Sequence, residues 1–128
     1  MTATPERFTH LLADFVGVPA AQAGDAALLS GLLIAAAGGA GLASSGTPAV
    51  HMLPAGTLTA FLLLDGCHMA LHTFPEHGLV LADVLVPAAL DGRKAIDVLA
   101  RRLSAREVRL GVHERGPGSE PLPAGRDR

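Results

Sequence analysis

Two apolar runs meet across a single Asp-Gly pair, and that pair restricts the folds open to this chain more than any other feature. "TLTAFLLL", Thr57 to Leu64, is β-compatible, and so is "CHMALHTF", Cys67 to Phe74. Only Asp65 and Gly66 separate them. This dipeptide tolerates positive φ at both centres of a tight turn, so the stretch reads as a two-residue β-hairpin. A hairpin this tight commits the chain to antiparallel sheet.

The other elements fall in around it. "FTHLLADFVGV", Phe8 to Val18, reads as a first strand, Val50 to Leu53 as a short one, and Gly78 to Val86 as another. "PAAQAGDAALLSGLLIAAAGG" has Pro early and Gly-Gly at its end, which predicts a single helix with a stop. In "DGRKAIDVLARRL", Ile96, Leu99, Ala100 and Leu103 recur at helical spacing with Lys and Arg opposite, the pattern of an amphipathic helix. "AREVRLGVHERG" closes as a strand. The order β-α-β-β-β-β-α-β predicts an α+β fold, a two-layer α/β sandwich with a largely antiparallel sheet and two helices on one face. At 128 residues one domain is expected, over residues 1–115. The polar, Pro/Gly-rich stretch 116–128 is expected to be a disordered tail.

Composition narrows the function. The formal net charge is -2, and the chain has no Trp, no Tyr and only four Phe. A nucleic-acid partner is not expected, since there is no basic patch and too few aromatics for a row of base-stacking platforms. Ala27 to Ala43 is free of charge, but glycine and alanine crowd its second half and no basic cluster flanks it. A buried helix is therefore expected there, not a membrane span. The start "MTATPERFTHLL" lacks a signal-peptide pattern, which predicts a cytoplasmic protein.

The reactive side chains gather at the hairpin. It holds the only cysteine, Cys67, followed by His68, His72 and His77. Strand alternation sends His68, Ala70 and His72 to one face, and Cys67, Met69 and Leu71 to the other. A bulge beside the turn would re-aim Cys67 toward His72. Three chemistries are open to this set. Cys67 can be an ordinary buried thiol. Cys67, His68, His72 and His77 can bind a metal, although the spacing matches no standard zinc pattern and no metal site is expected. Or Cys67 can attack the carbonyl before it, with the peptide bond strained at the turn, a histidine moving protons, and Gly66 leaving the carbonyl open.

"HMALHTFPEHG" resembles the H-x-x-x-H-T-[WF]-P-E-x-[GR] core of bacterial and archaeal S-adenosylmethionine decarboxylase proenzymes. "THLLADF" is similar to that family's opening strand, "LADVLV" to the strand after the core motif, and "DGRKAIDVLARRLSAREVRLGVHERG" to its closing helix and strand. The resemblance runs from about residue 8 to 116. It implies a homodimeric α/β sandwich that cuts itself at the hairpin. The residue after the cut becomes a pyruvoyl group, which forms a Schiff base with the substrate amine and acts as electron sink. The product feeds spermidine and other polyamine synthesis.

Residue by residue, the resemblance assigns the processing histidine to His72, a processing hydroxyl to Thr59, and substrate contacts to Glu76. His10 falls on a matched position. Adenine is usually held by stacking, so Phe8 and Phe74, in or beside matched stretches, are the expected platforms. The family's serine precursor is Cys67 here, which places the expected cleavage at Gly66–Cys67, and the usual glutamate before it is Gly66. The family's cysteine proton donor falls near Pro87, which has no ionisable group. A thiolate is a stronger nucleophile than an alkoxide, so Cys67 suits the role of precursor. Three functions are open: a pyruvoyl decarboxylase of S-adenosylmethionine, one of another amino acid such as arginine or ornithine, or a non-cleaving paralogue that binds a nucleoside or partner subunit.

Overall fold

The computed structural model describes residues 7–43 and 46–118. Six strands, β1 (Phe8–Val16), β2 (Ala49–Met52), β3 (Leu58–Leu64), β4 (Cys67–Phe74), β5 (Leu79–Pro87) and β6 (Glu107–Arg115), form one sheet. Its order is β2-β3-β4-β5-β1-β6. Every pairing is antiparallel, not merely most of them. The α+β sandwich expected from the sequence is the fold observed.

Alternation builds the sheet's two faces. Leu11, Ala13 and Phe15 of β1 and Val80, Ala82, Val84 and Val86 of β5 are buried on one side. Their neighbours in sequence face the other side, as a period of two requires. The helices cover the first side. Helix α2 (Ala26–Gly39) starts where the Asp25 side chain accepts the Leu28 N–H at 3.0 Å. It buries Leu29, Leu32, Leu33, Ala36 and Ala37, spaced to form one stripe. Each fully buried leucine contributes roughly 1.5–3 kcal/mol. Helix α3 (Arg93–Arg102) buries Ala95, Ile96 and Leu99 the same way. The two helices approach closely at Gly39, where a Cβ would lie 3.0 Å from Val98 Cγ2.

Three expectations are corrected. The long Ala/Leu stretch is not one helix: α1 (Ala20–Ala23) stops at Gly24, and Asp25 caps a new start. The sandwich thus has three helices where two were expected. The hairpin turn does not use positive φ at both centres. Only Gly66 has it, at 73°, the pattern of a type II turn with glycine at its third position. The first strand ends at Val16, because Gly17 turns the chain with φ 73°. The expected disordered tail lies outside the described residues from position 119 onward. No helix among the described residues is long and apolar enough to cross a membrane.

The face opposite the helices carries no layer from the described chain. By register it holds His10, His51, His68, His72 and His113, five of the six histidines. Leu12, Phe61 and Leu63 lie on it and are exposed.

Candidate active site

Leu64 pairs with Cys67 across the turn, and the ladder continues unbroken to Leu58 and Thr73. There is no bulge, so Cys67 is not re-aimed toward His72. Its side chain lies on the helix-covered face and is 6% exposed, within the core. His72 is exposed on the opposite face. Five strand positions separate the two, roughly 16 Å at the usual rise. Within one chain the expected nucleophile and the expected proton carrier do not meet.

Thr59 and His72 do meet. They oppose each other directly across β3 and β4, and Thr59 Oγ1 is hydrogen-bonded to His72 Nδ1 at 3.2 Å. The pairing follows from the turn: with a two-residue loop, residues equidistant from it face each other. A hydroxyl holding one ring nitrogen leaves the other, Nε2, available for proton transfer.

The expected substrate contacts divide between the ends of the sheet. Phe74 and Glu76 line one cavity of about 220 Å³ with Ala55, Thr57, Pro75 and His77. Phe8 sits at the far end, opposite Pro87 on one side and Arg115 on the other. That is the hairpin's end of the sheet, since His68 opposes Leu85 and the next positions are Cys67, Val86 and Pro87. The metal alternative places Cys67 on one face and His68 and His72 on the other. Among the described residues no three His, Cys, Asp or Glu side chains converge as metal ligands.

One polar chain on the open face joins His10 and His68 to two residues that the sequence reading passed over, Asp83 and Arg115. His10 Nε2 lies 2.6 Å from Asp83 Oδ1, and His68 Nε2 lies 3.4 Å from the same oxygen. Arg115 Nη1 reaches His10 Nδ1 at 3.3 Å. A guanidinium only donates, so Nδ1 of His10 accepts and its proton sits on Nε2, donated to Asp83. Phe61 stacks on His68 with centroids 5.5 Å apart and planes 17° from parallel. Asp83, Arg115 and His10 all fall in stretches matched to the family, which was the available signal. Elsewhere, Arg109 is held above its ordinary pKa, first by its hydrogen bond to Glu107 and then by that residue's charge.

The family model described as S-adenosylmethionine decarboxylase matches residues 9–116. The chain belongs to that family. The S-adenosylmethionine decarboxylase proenzyme of Aquifex aeolicus is 32% identical over 108 residues, 84% of this chain and 79% of that protein. The proenzyme of Pyrobaculum arsenaticum is 28% identical over 87% of this chain and 90% of its own length. Among solved structures, the adenosylmethionine decarboxylase of Aquifex aeolicus superposes with a TM-score of 0.79 at 28% identity. That match covers 94% of this chain and 99% of that one. The family is one of decarboxylases made as proenzymes, which form a pyruvoyl group by self-processing.

Proposed function

We propose that this chain is a cytoplasmic, self-processing decarboxylase of S-adenosylmethionine serving spermidine synthesis, with Cys67 as pyruvoyl precursor and cleavage at Gly66–Cys67. The observation that carries this reading is the Thr59–His72 hydrogen bond on the open face, which joins the two side chains the resemblance assigns to processing. The residues present fit the group. Cys67 begins a strand immediately after a glycine beside which a side chain's position is open, so nothing crowds the scissile bond on that side.

The cut balances as follows. Cys67 Sγ bonds to the Gly66 carbonyl carbon as the Gly66–Cys67 C–N bond breaks, and the freed amine takes the thiol's proton. Loss of the Cys67 α-proton then breaks its Cβ–S bond. Sulfur stays on Gly66 as a thiocarboxylate, and water displaces the nitrogen as ammonia to leave the ketone. His72 Nε2 is the group that carries these protons. When formed, the ketone supplies the electron sink for decarboxylation.

Because Cys67 and His72 of one chain are on opposite faces, the site is completed by a second copy. A homodimer with open faces together covers Leu12, Phe61 and Leu63 and brings the partner's Thr59–His72 pair, with its Phe74–Glu76 cavity, to the open face of this chain's hairpin, so Cys67 has to turn from the core face to meet it. Glu76 and Phe74 contact substrate from that side, and Phe8 from the hairpin's own side.

Burial of Cys67 favours one competing reading, an uncut paralogue that keeps the fold and binds a nucleoside or partner subunit. Intact-protein mass spectrometry separates the two. Two chains split at Gly66–Cys67, the first ending in a thiocarboxylate and the second starting with a ketone, support the decarboxylase. Release of carbon dioxide is then compared for S-adenosylmethionine, arginine and ornithine. A single chain unchanged by hydroxylamine overturns the decarboxylase.

A further inference from the structure

We propose that His68 is the proton donor of the decarboxylation, oriented by Asp83 and, through Asp83, by His10. This rests on the self-processing reading above and adds a residue role to it.

Loss of carbon dioxide leaves an electron pair on the substrate carbon, and the reaction ends only when a proton reaches that carbon. A positioned acid there contributes about 10²- to 10⁴-fold. Within its own chain, few ionisable groups lie close to residue 67, and the partner's His72 is already assigned to the cut. Its own thiol is consumed in the cut, and the chain has no other cysteine. The neighbouring positions on β3 are Leu63 and Leu64, and on β5 they are Leu85, Val86 and Pro87, none of them ionisable. The turn offers Asp65, an exposed carboxylate that accepts but does not donate when ionised. Within the chain His68 remains, the residue that directly follows the reacting one, its side chain on the open face where the partner docks in this reading.

The His68 ring is also fixed as a donor must be. Phe61 lies flat against it, and Asp83 Oδ1 stands 3.4 Å from its Nε2, an ion-pair distance and not a hydrogen bond. That leaves Nδ1 to give the proton. Asp83 is itself held by the shorter contact to His10 Nε2, and Arg115 fixes the His10 tautomer. The side chain of His68 is 30% exposed, so solvent can restore the proton after each turnover. In the step, the Nδ1–H bond breaks, a C–H bond forms at the carbon that lost carbon dioxide, and the imidazole is left neutral.

The test follows the fate of that electron pair. If the proton goes to the enzyme's own carbon instead, hydrolysis releases an aldehyde and the nitrogen stays behind, so the second chain begins with alanine. Wild type, His68→Gln, Asp83→Asn and a His51→Gln control are incubated with S-adenosylmethionine in D₂O. The first residue of the second chain and the deuterium in the product amine are read by mass spectrometry. His68→Gln is expected to be cut normally, to turn over about 10²- to 10⁴-fold more slowly, and to accumulate N-terminal alanine. Asp83→Asn should do the same to a lesser degree, about 10-fold, as loss of a supporting carboxylate does. His51→Gln should match wild type. A cut His68→Gln that keeps its ketone and its rate overturns this role while leaving the decarboxylase reading intact. A wild-type chain that is never cut overturns both. Should His68→Gln fail to fold or be cut, Asp83→Asn decides: normal rate and no alanine overturn the role, and alanine supports it.

Discussion

Thr59 and His72 each lie six residues from the hairpin turn, on its two sides, and the sheet register brings their side chains into a hydrogen bond of 3.2 Å. The hydroxyl fixes which imidazole nitrogen is free. His72→Ala should slow appearance of the two cut chains by about 10²- to 10⁴-fold, the usual loss for a general acid-base group. Thr59→Val keeps the ring but loses its orientation, so a smaller slowing is expected. A time course of intact mass after purification reads both. Equal rates for His72→Ala and wild type would remove His72 from processing.

A site shared between two copies makes a sharper claim. Alone, Cys67→Ala should be uncut and His72→Ala cut only slowly. Co-refolded, they form mixed dimers that combine the intact Cys67 of one copy with the intact His72 of the other. Faster cleavage of the His72→Ala chain is then expected in the mixture than in that variant alone. If the mixture is cut no faster, nucleophile and histidine act within one chain.

Gly66 stands where the family has glutamate, and its φ of 73° explains a cost of restoring it. A side chain there has room, since no atom lies within 4 Å of the Cβ position. The backbone conformation is the obstacle, worth roughly 1–2 kcal/mol for a residue other than glycine. Gly66→Glu should lower stability by about that amount, seen by urea denaturation of the Cys67→Ala background, where no cut intervenes. An unchanged midpoint would mean that the turn relaxes at no expense.

Thr73 is fully buried on the core face of β4, and its Oγ1 has no hydrogen-bond partner among the described residues. A buried hydroxyl left unpaired costs about 1–3 kcal/mol. Thr73→Val removes the hydroxyl while nearly keeping the shape, and should stabilise the chain by about 1 kcal/mol. Denaturant midpoints with an unchanged slope would show it. A loss of stability would mean that the hydroxyl has a partner in solution.

The hairpin, and with it the faces of Cys67 and His72, was legible because both runs alternate about a turn that Asp65–Gly66 marks without ambiguity. The same period placed the buried half of β5. The break between α1 and α2 was readable too, since Gly24 followed by Asp25 is a stop and a cap, but the apolar run on either side outweighed it. The Thr59–His72 pair needed the family resemblance to be noticed, though the register alone puts them opposite. The polar chain through Asp83 was not legible from spacing. His10 and Asp83 are 73 positions apart, and His10 and Arg115 are 105 apart. Only the sheet order, with β1 inserted between β5 and β6, brings those three strands side by side.

That insertion decides what becomes of the molecule once the bond at Gly66 is gone. The front piece owns β1, β2 and β3, and the rear piece owns β4, β5 and β6. In the sheet they are dovetailed: β4 is seated against β3, and β1 is clasped on both edges by strands of the other piece. A nick there severs the polypeptide and no ladder. The two products of such a cut would remain one body, joined along three shared seams and the layer of helices, with a fresh chain end held at the place where the bond used to be.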